Sequence, residues 1–373
     1  MRPAEPLAPA DLGIGPALTA TVQLSQRRFL HLPSPVTFRA SGALAAWSGV
    51  FDKTPEGRKA REALADVRQP ISETMYATSN YLHRHIHAST SNRQTVYQPL
   101  FANACQFLSF WWRGGKLYEP TQALGTLLGE TDWSQDVPMR CLRTPVPALC
   151  IVPPVSQRAA CADMCSLMVF SHEPVPGMAP GACRALTVVA VQPTQDGALN
   201  NMFFSLTVLD EDEPLANAFH RLEEGARMEA PLLGKVDEEK LRQNSRFTRQ
   251  VMDYVVKVLL YLNCEGAQIR ELTPYSSAPR VFPGLGRRKR EARLAEVEQL
   301  YDRFVLGPEH GLQTSEQMAN GTNSGFEVSA HWRRGHFRLQ PHGPHASLRK
   351  VMFIMPTLVR ADRLAGAGEA RGT

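Results

Sequence analysis

At 373 residues, 43% hydrophobic and 21% charged, the chain has the length and apolar content for one large domain or two ordinary ones, which excludes a disordered or fibrous class. The formal charge of +5 is mildly basic and by itself selects no partner. Its longest apolar run, near residues 255–262, is interrupted by Lys257, so no membrane span is expected.

Seven cysteines at irregular spacing suit reduced thiols better than a disulfide framework. Residues 1–10 are rich in Pro and Ala and lack the apolar core of a secretory leader, so a cytoplasmic protein is expected. Charge is unevenly spread. Asp210–Glu213, Glu223–Glu224 and residues 237–239 make the middle acidic, whereas residues 280–293 and the C-terminal segment are basic.

In chain order, residues 1–41 are proline-rich with weak periodicity and read as a flexible arm. Residues 42–144 read as a helical region. Within it, 55–67 and 71–87 are helices broken by Pro70; 96–112 follows at helical spacing until Gly114–Gly115; and 121–128 is a shorter helix. The character changes at Pro145. Short apolar runs at 148–152, 166–171, 185–191 and 202–208, bounded by Pro, Gly and Asn, are strand signals at hairpin spacing. Residues 215–227 read as a helix. Residues 238–264 form the strongest helix, with Leu241, Phe247, Val251, Val255, Val258, Leu259 and Leu262 on one face. Residues 287–304 read as an amphipathic helix, and 311–324 as a polar loop. Two strands, 326–339 and 348–358, flank a turn at Pro341–Pro344. The expected architecture is α+β: helices first, then over 145–360 a mostly antiparallel sheet packed on the 238–264 helix and closed by a C-terminal hairpin, with 361–373 a disordered tail.

That hairpin carries the densest chemistry. Residues 331–350 hold His331, His336, His342, His345, Arg333, Arg334, Arg338, Arg349 and Lys350, and no acidic residue occurs between Glu327 and Asp362. Such a surface repels itself unless an anion sits on it, and RNA phosphate is the natural candidate. On one strand, His331, Arg333, Gly335 and Phe337 would share a face, with Trp332, Arg334, His336 and Arg338 opposite. Two imidazoles and a guanidinium are also the parts of a metal-independent ribonuclease, with His331 and His336 as acid and base. A solvated hairpin that pairs with the acidic middle of its own chain explains the same residues.

A second basic run, Gly284 to Arg290, places Arg287 and Arg288 at a helix start, where cations oppose the helix dipole unless an anion is bound. It lacks the spacing of a nucleotide-binding loop. Cys161, Cys165, His172 and Cys183 could make a zinc set, but no CxxC pair is present and buried thiols fit as well. His83, Arg84, His85 and His87 fit a polar helix face. Trp111–Trp112–Arg113 fits either a base-stacking platform or core packing. No metal or cofactor is expected.

The segment His331–Arg338, then Gly343, then the apolar ending Met355-Pro356-Thr357-Leu358-Val359, resembles the C-terminal hallmark of a type V-A anti-CRISPR family with a shared RRGHW-type motif. Weaker likeness extends upstream, to Pro147–Val152 where that family has a Pro-x-x-Cys-Val-Tyr strand and to residues 255–264 where it has a long apolar helix. Together these suggest similarity over about residues 108–359, leaving an N-terminal extension uncovered. The resemblance implies a protein of phages, plasmids and other mobile elements that represses translation. It would recognise the N-terminal segment of a nascent CRISPR effector and trigger loss of the encoding mRNA, with RNA or the ribosome nearby. Carried over, Arg333, Arg334, Gly335, His336 and Arg338 are the motif residues. Phe337 and Phe353 stand where the family commonly has Trp.

Overall fold

The computed structural model describes residues 13–22, 29, 31–86, 94–134, 136–175, 177, 180–193, 199–229, 238–309, 331–355 and 357–359. Among them the chain is α+β, as its patterning predicts. Six helices come first: α1 (Ile14–Val22), α2 (Ser34–Ala40), α3 (Ala43–Asp52), α4 (Pro55–Ala65), α5 (Ile71–Ile86) and α6 (Gln94–Trp112). Then follow β1 (Lys116–Pro120), α7 (Gln122–Gly129), β2 (Thr131–Trp133), β3 (Ala148–Ile151), β4 (Ser166–His172), β5 (Arg184–Pro193) and β6 (Leu199–Val208). The last part holds α8 (Leu215–Glu229), α9 (Glu238–Leu262), β7 (Ile269–Leu272), α10 (Arg287–Val297), β8 (Arg303–Leu306), β9 (His331–Arg333), β10 (Gly335–His342), β11 (Leu348–Ile354) and β12 (Thr357–Val359).

A seven-stranded sheet in the order β6-β5-β4-β3-β1-β8-β7 is the central layer. It is antiparallel except around β1, which lies parallel to both β3 and β8. Its middle strands are apolar on both faces because both faces are covered. Leu149, Ile151, Leu167, Val169, Leu186 and Val188 point to one side, into a core shared with α8 and α9. Ala148, Cys150, Met168, Phe170, Val189 and Val191 point to the other, where Phe38, Trp47, Phe51, Phe101 and Phe107 of the N-terminal helices fill a second core.

Local chemistry sets the breaks. After Trp112 the chain reverses where Gly114 takes φ +70°, and the Gly115 N–H returns to the Phe110 carbonyl at 2.8 Å. A Cβ on Gly115 would lie 2.5 Å from the Phe110 ring, so no larger residue fits there. The Thr121 hydroxyl then caps α7 by accepting from the Leu124 N–H at 3.1 Å. The long helix α9 is buried along its second half, from Val251 to Tyr261, whereas most of its first half is exposed.

Several sequence expectations change. The stretch 1–41, read as a flexible arm, carries α1 and α2, with Ala17, Val36 and Phe38 buried; Pro35 starts α2, where its missing N–H costs nothing. Residues 1–12, 23–28 and 30 of that stretch lie outside the described residues. The 287–304 helix stops at Val297, and 303–306 is instead β8, drawn into the sheet beside β1, where Phe304 stacks on Tyr118 at 5.0 Å between centroids. Tertiary pairing overrides helical periodicity there. The strands β1 and β7 carry too little apolar alternation to be read from sequence; β7 is exposed throughout. The loop expected at 311–324 and the tail at 361–373 lie outside the described residues.

Candidate functional site

The C-terminal strands dock on the α9 side of the molecule. Strands β10 and β11 form the expected hairpin, in the register Phe337 opposite Phe353 and Leu339 opposite Val351. These four face inward. Phe337 is 1% exposed and stacks on Phe353 at 5.1 Å, and Phe353 meets the edge of Tyr261 from α9 at 5.8 Å. The two aromatic positions at which the chain departs from the RRGHW pattern are thus the hairpin's apolar anchor. The outer edge of β10 pairs in parallel with β2, so His336 lies opposite Asp132. The expected continuous strand is broken at Arg334. His331 to Arg333 form β9, which pairs with β12 rather than with β11.

The hairpin's charge lies on the exposed Arg334, Arg338 and Arg349 and on the half-exposed Lys350. Arg334 is exposed and forms an ion pair with the exposed Asp132 at 3.4 Å. Lys350 pairs with Glu265, whose carboxyl it holds below the usual carboxylate range. Arg349 donates to the carbonyls of Ala346 at 2.6 Å and Leu348 at 3.2 Å. Arg338 is exposed and has no hydrogen-bond or ion-pair partner among the described residues, and His336 is half-buried at the β2 edge. The side chains of His331 and Arg333 lie outside the described residues. The turn is strained: Gly343, His345 and Ala346 all have positive φ, at 77°, 52° and 55°. The hairpin therefore keeps exposed cations, two of which are already matched by carboxylates of the same chain.

Arg287 and Arg288 are placed elsewhere. They begin α10, and no hydrogen bond or ion pair among the described residues joins that helix to the hairpin. Arg287 pairs with Glu291 one turn along at 2.9 Å, and Arg288 is exposed without a partner. Gly286 precedes the helix with no side-chain cap.

Other candidate clusters resolve into structural contacts. The Cys161 thiol donates to the Arg158 carbonyl at 3.3 Å, Cys165 to Val191 at 3.2 Å, and Cys183 to Val208 at 3.4 Å. His172 sits between the Glu173 carbonyl and the Thr187 hydroxyl, and burial lowers its pKa. Among the described residues no three His, Cys, Asp or Glu side chains converge as metal ligands. Trp111 donates to the Pro35 carbonyl at 2.9 Å, and the buried Arg113 donates to Leu64 and Gln69. Burial lowers the Arg113 pKa to about 10. Within the acidic run, Glu211 is held by Arg184 and Glu213 by Arg221, both inside the fold. His87 lies outside the described residues, as do the side chains of His83 and His85.

Sequence reasoning missed two participants. Asp132 reaches the motif because β2 inserts beside β10, and a three-residue strand leaves no periodic signal. Arg39 is the other. It reaches from α2 to the base of α10, with its guanidinium 3.6 Å from the Tyr275 ring centroid.

Among the described residues, no helix is long and apolar enough to cross a membrane. No curated protein and no solved structure matches the chain. A family model does match, that of the AcrVA2-like proteins, over residues 118–361. The matched stretch opens in β1, contains the rest of the central sheet with α7 to α10, and runs through the hairpin; the back layer of helices α1 to α6 lies outside it. With most of its length inside that match, the chain belongs to the anti-CRISPR type V subtype A2 family.

Proposed function

We propose that this chain silences a type V CRISPR effector as it is made, by binding the nascent polypeptide and promoting loss of its mRNA. The observation that carries this reading is the family match, which contains the Arg333–Arg338 motif. The cations of the hairpin and of α10 support a position close to RNA: the exposed Arg334, Arg338 and Arg349 and the half-exposed Lys350 in the first, with Arg333 beside them in sequence, and the exposed Arg287 and Arg288 in the second. The test is a translation lysate programmed with effector mRNA. Tagged protein is expected to recover the ribosome-bound message, to lose it after puromycin, and to shorten its half-life. Recovery that puromycin does not change, or an unaltered message half-life, would overturn the proposal.

A second reading puts RNA cleavage in the chain itself, and the register of His336 opposite Asp132 favours it. A carboxylate beside an imidazole can orient it for proton transfer. One of His331 and His336 would take the 2′-hydroxyl proton while the other protonates the departing 5′ oxygen. Purified protein should then cleave labelled RNA in EDTA, and His336→Ala should stop it. Intact RNA would remove this reading and leave the first untouched.

A further inference from the structure

Between α9 and β8 the chain adds β7 to the edge of the central sheet and then runs largely exposed. From Gln268 to Arg293 most residues are exposed, and within α10 Val297 alone is buried, at its far end. The first two turns of α10 are polar or small on every side and have no packing reason to exist by themselves. The helix is held at its base. Arg39 of α2, 10% exposed at its side chain, donates to the carbonyls of Glu298 and Leu300. Its guanidinium lies between the rings of Tyr275 and Trp111, at 3.6 and 5.1 Å. Arg280 covers Tyr275 at 4.2 Å and binds Glu298 at 2.9 Å. Asp302 accepts the N–H groups of Tyr275 and Ser276 at 2.9 and 3.0 Å. The base is fastened by these contacts, and among the described residues no hydrogen bond or ion pair joins residues 287–293 to the body.

That unfastened end is a ring of cations. Arg287, Arg288, Lys289 and Arg290 are consecutive, so at about 100° per residue they point to all sides of the first turn. Arg293 extends the ring one turn further. Glu291 is the single carboxylate among residues 287–293. Lys289 and Arg288 have no partner among the described residues. A protein partner would need an apolar centre to its interface, and a lipid surface an apolar helix face; residues 287–293 offer neither, since Ala292 is their one apolar side chain. Nor do they carry a ring on which an unpaired base could stack. What they fit is a row of phosphates, which arginine forks bind bidentately.

We infer that α10 is an arm that grips the phosphate backbone of duplex RNA, and that Arg39 aims it from the N-terminal helical layer. The choice of RNA over DNA rests on the translational reading above; the geometry and charge do not depend on it. Arg39 is a positioning residue, since its own charge is buried under two rings.

The test uses the full chain and a fluorescently labelled 20-base-pair RNA duplex, with anisotropy followed from 50 to 200 mM KCl. Combined R288Q, K289Q and R290Q should lower affinity at least tenfold and make the logarithmic salt slope shallower by about 2 to 3, from about 0.9 per lost phosphate contact. Arg39→Lys keeps the charge and loses the planar fork. It should lower affinity severalfold with the salt slope retained, while amide exchange in 287–297 rises and that of α9 does not. Glu298→Gln loosens the same base from the other side and should do likewise, should Arg39→Lys fail to fold. Wild-type affinity and slope in the triple variant would overturn the proposal. So would tighter binding of single-stranded RNA than of the duplex, or displacement of RNA by poly-glutamate at matched charge. A slope that falls in Arg39→Lys would overturn the aiming role. Failure of the nascent-chain reading would show in the puromycin experiment and leave these measurements standing.

Discussion

The hairpin and α10 both present cations, yet the two are built on opposite terms. In β10 and β11 the core-facing side chains hold the charged ones in place: Phe337 and Val351 are buried, Phe337 stacks on Phe353, Phe353 meets the edge of Tyr261, and Arg338 and Lys350 sit at the alternate positions. In α10 the charged residues alternate with nothing; the helix touches the body through its last residues and the Arg39 base. The difference separates two ways of holding charge in water. A strand charge is fixed by the core beneath it, so its geometry is rigid and its removal disturbs neighbours. An arm charge is fixed by a remote mount, so it can be removed without cost to the fold, and moved by loosening the mount.

The largest expected effect breaks the first term. Phe337→Ala removes a fully buried ring stacked on Phe353 and should destabilise the protein by about 3–5 kcal/mol in urea titration. Arg288→Ala should change stability by less than about 0.5 kcal/mol in the same measurement. A loss under about 1 kcal/mol for Phe337→Ala would mean the hairpin is an appendage like α10, and the contrast would vanish. Next in size is the mount. Arg39→Met leaves the Glu298 and Leu300 carbonyls without their donor and should cost about 1–3 kcal/mol. Protease sensitivity should rise within 273–300 and stay unchanged in the central sheet. Uniform sensitivity would show Arg39 to be a general support of the helical layer.

How much of this was legible beforehand follows from what kind of contact made each element. The hairpin was readable because its alternation, its turn residues and its motif lie within thirty consecutive positions. The α9 core face was readable from one helical period. The central place of β1 was not: Lys116–Pro120 has one apolar pair, and its strand state comes from parallel partners β3 and β8, far away in the chain. The same long-range pairing turned residues 303–306 from an apparent helix end into β8. For the candidate site, the basic residues were visible as a composition, but their neutralising partners were not. Asp132 and Glu265 precede the hairpin by roughly two hundred and by about eighty residues, and only the fold brings them to Arg334 and Lys350.

Acid should separate the sheet from the hairpin. Burial holds the His172 imidazole below its unfolded value of about 6.5. The folded state therefore binds fewer protons there, and the stability His172 contributes is full above about pH 6.5 and declines as pH falls through the folded value. Glu265 is depressed by Lys350, so its contribution is full above about pH 4.3 and declines at lower pH still. Urea midpoints should fall first with the His172 step, which His172→Gln would flatten, and below it with the depressed carboxylates, Glu265 among them with Asp66, Glu211, Glu213 and Asp302, a step that Glu265→Gln would reduce slightly. A pH profile unchanged by His172→Gln would place the first loss in another group.

The smallest effect tests whether the hairpin holds its charges as stiffly as its core implies. Asp132 and Arg334 form an exposed pair, and such pairs contribute about 0–1 kcal/mol. Asp132→Asn should leave the melting temperature nearly unchanged, since Trp133 and Thr131 still seat β2. It also frees Arg334 and removes a carboxylate from beside His336, so affinity for RNA should rise about two- to threefold at low salt and the gain should shrink as KCl screens the surface. If Asp132→Asn instead destabilises by 2 kcal/mol or more, the pair is part of the hairpin's fastening. Its arginine would then be no more available to a polyanion than the buried Arg113.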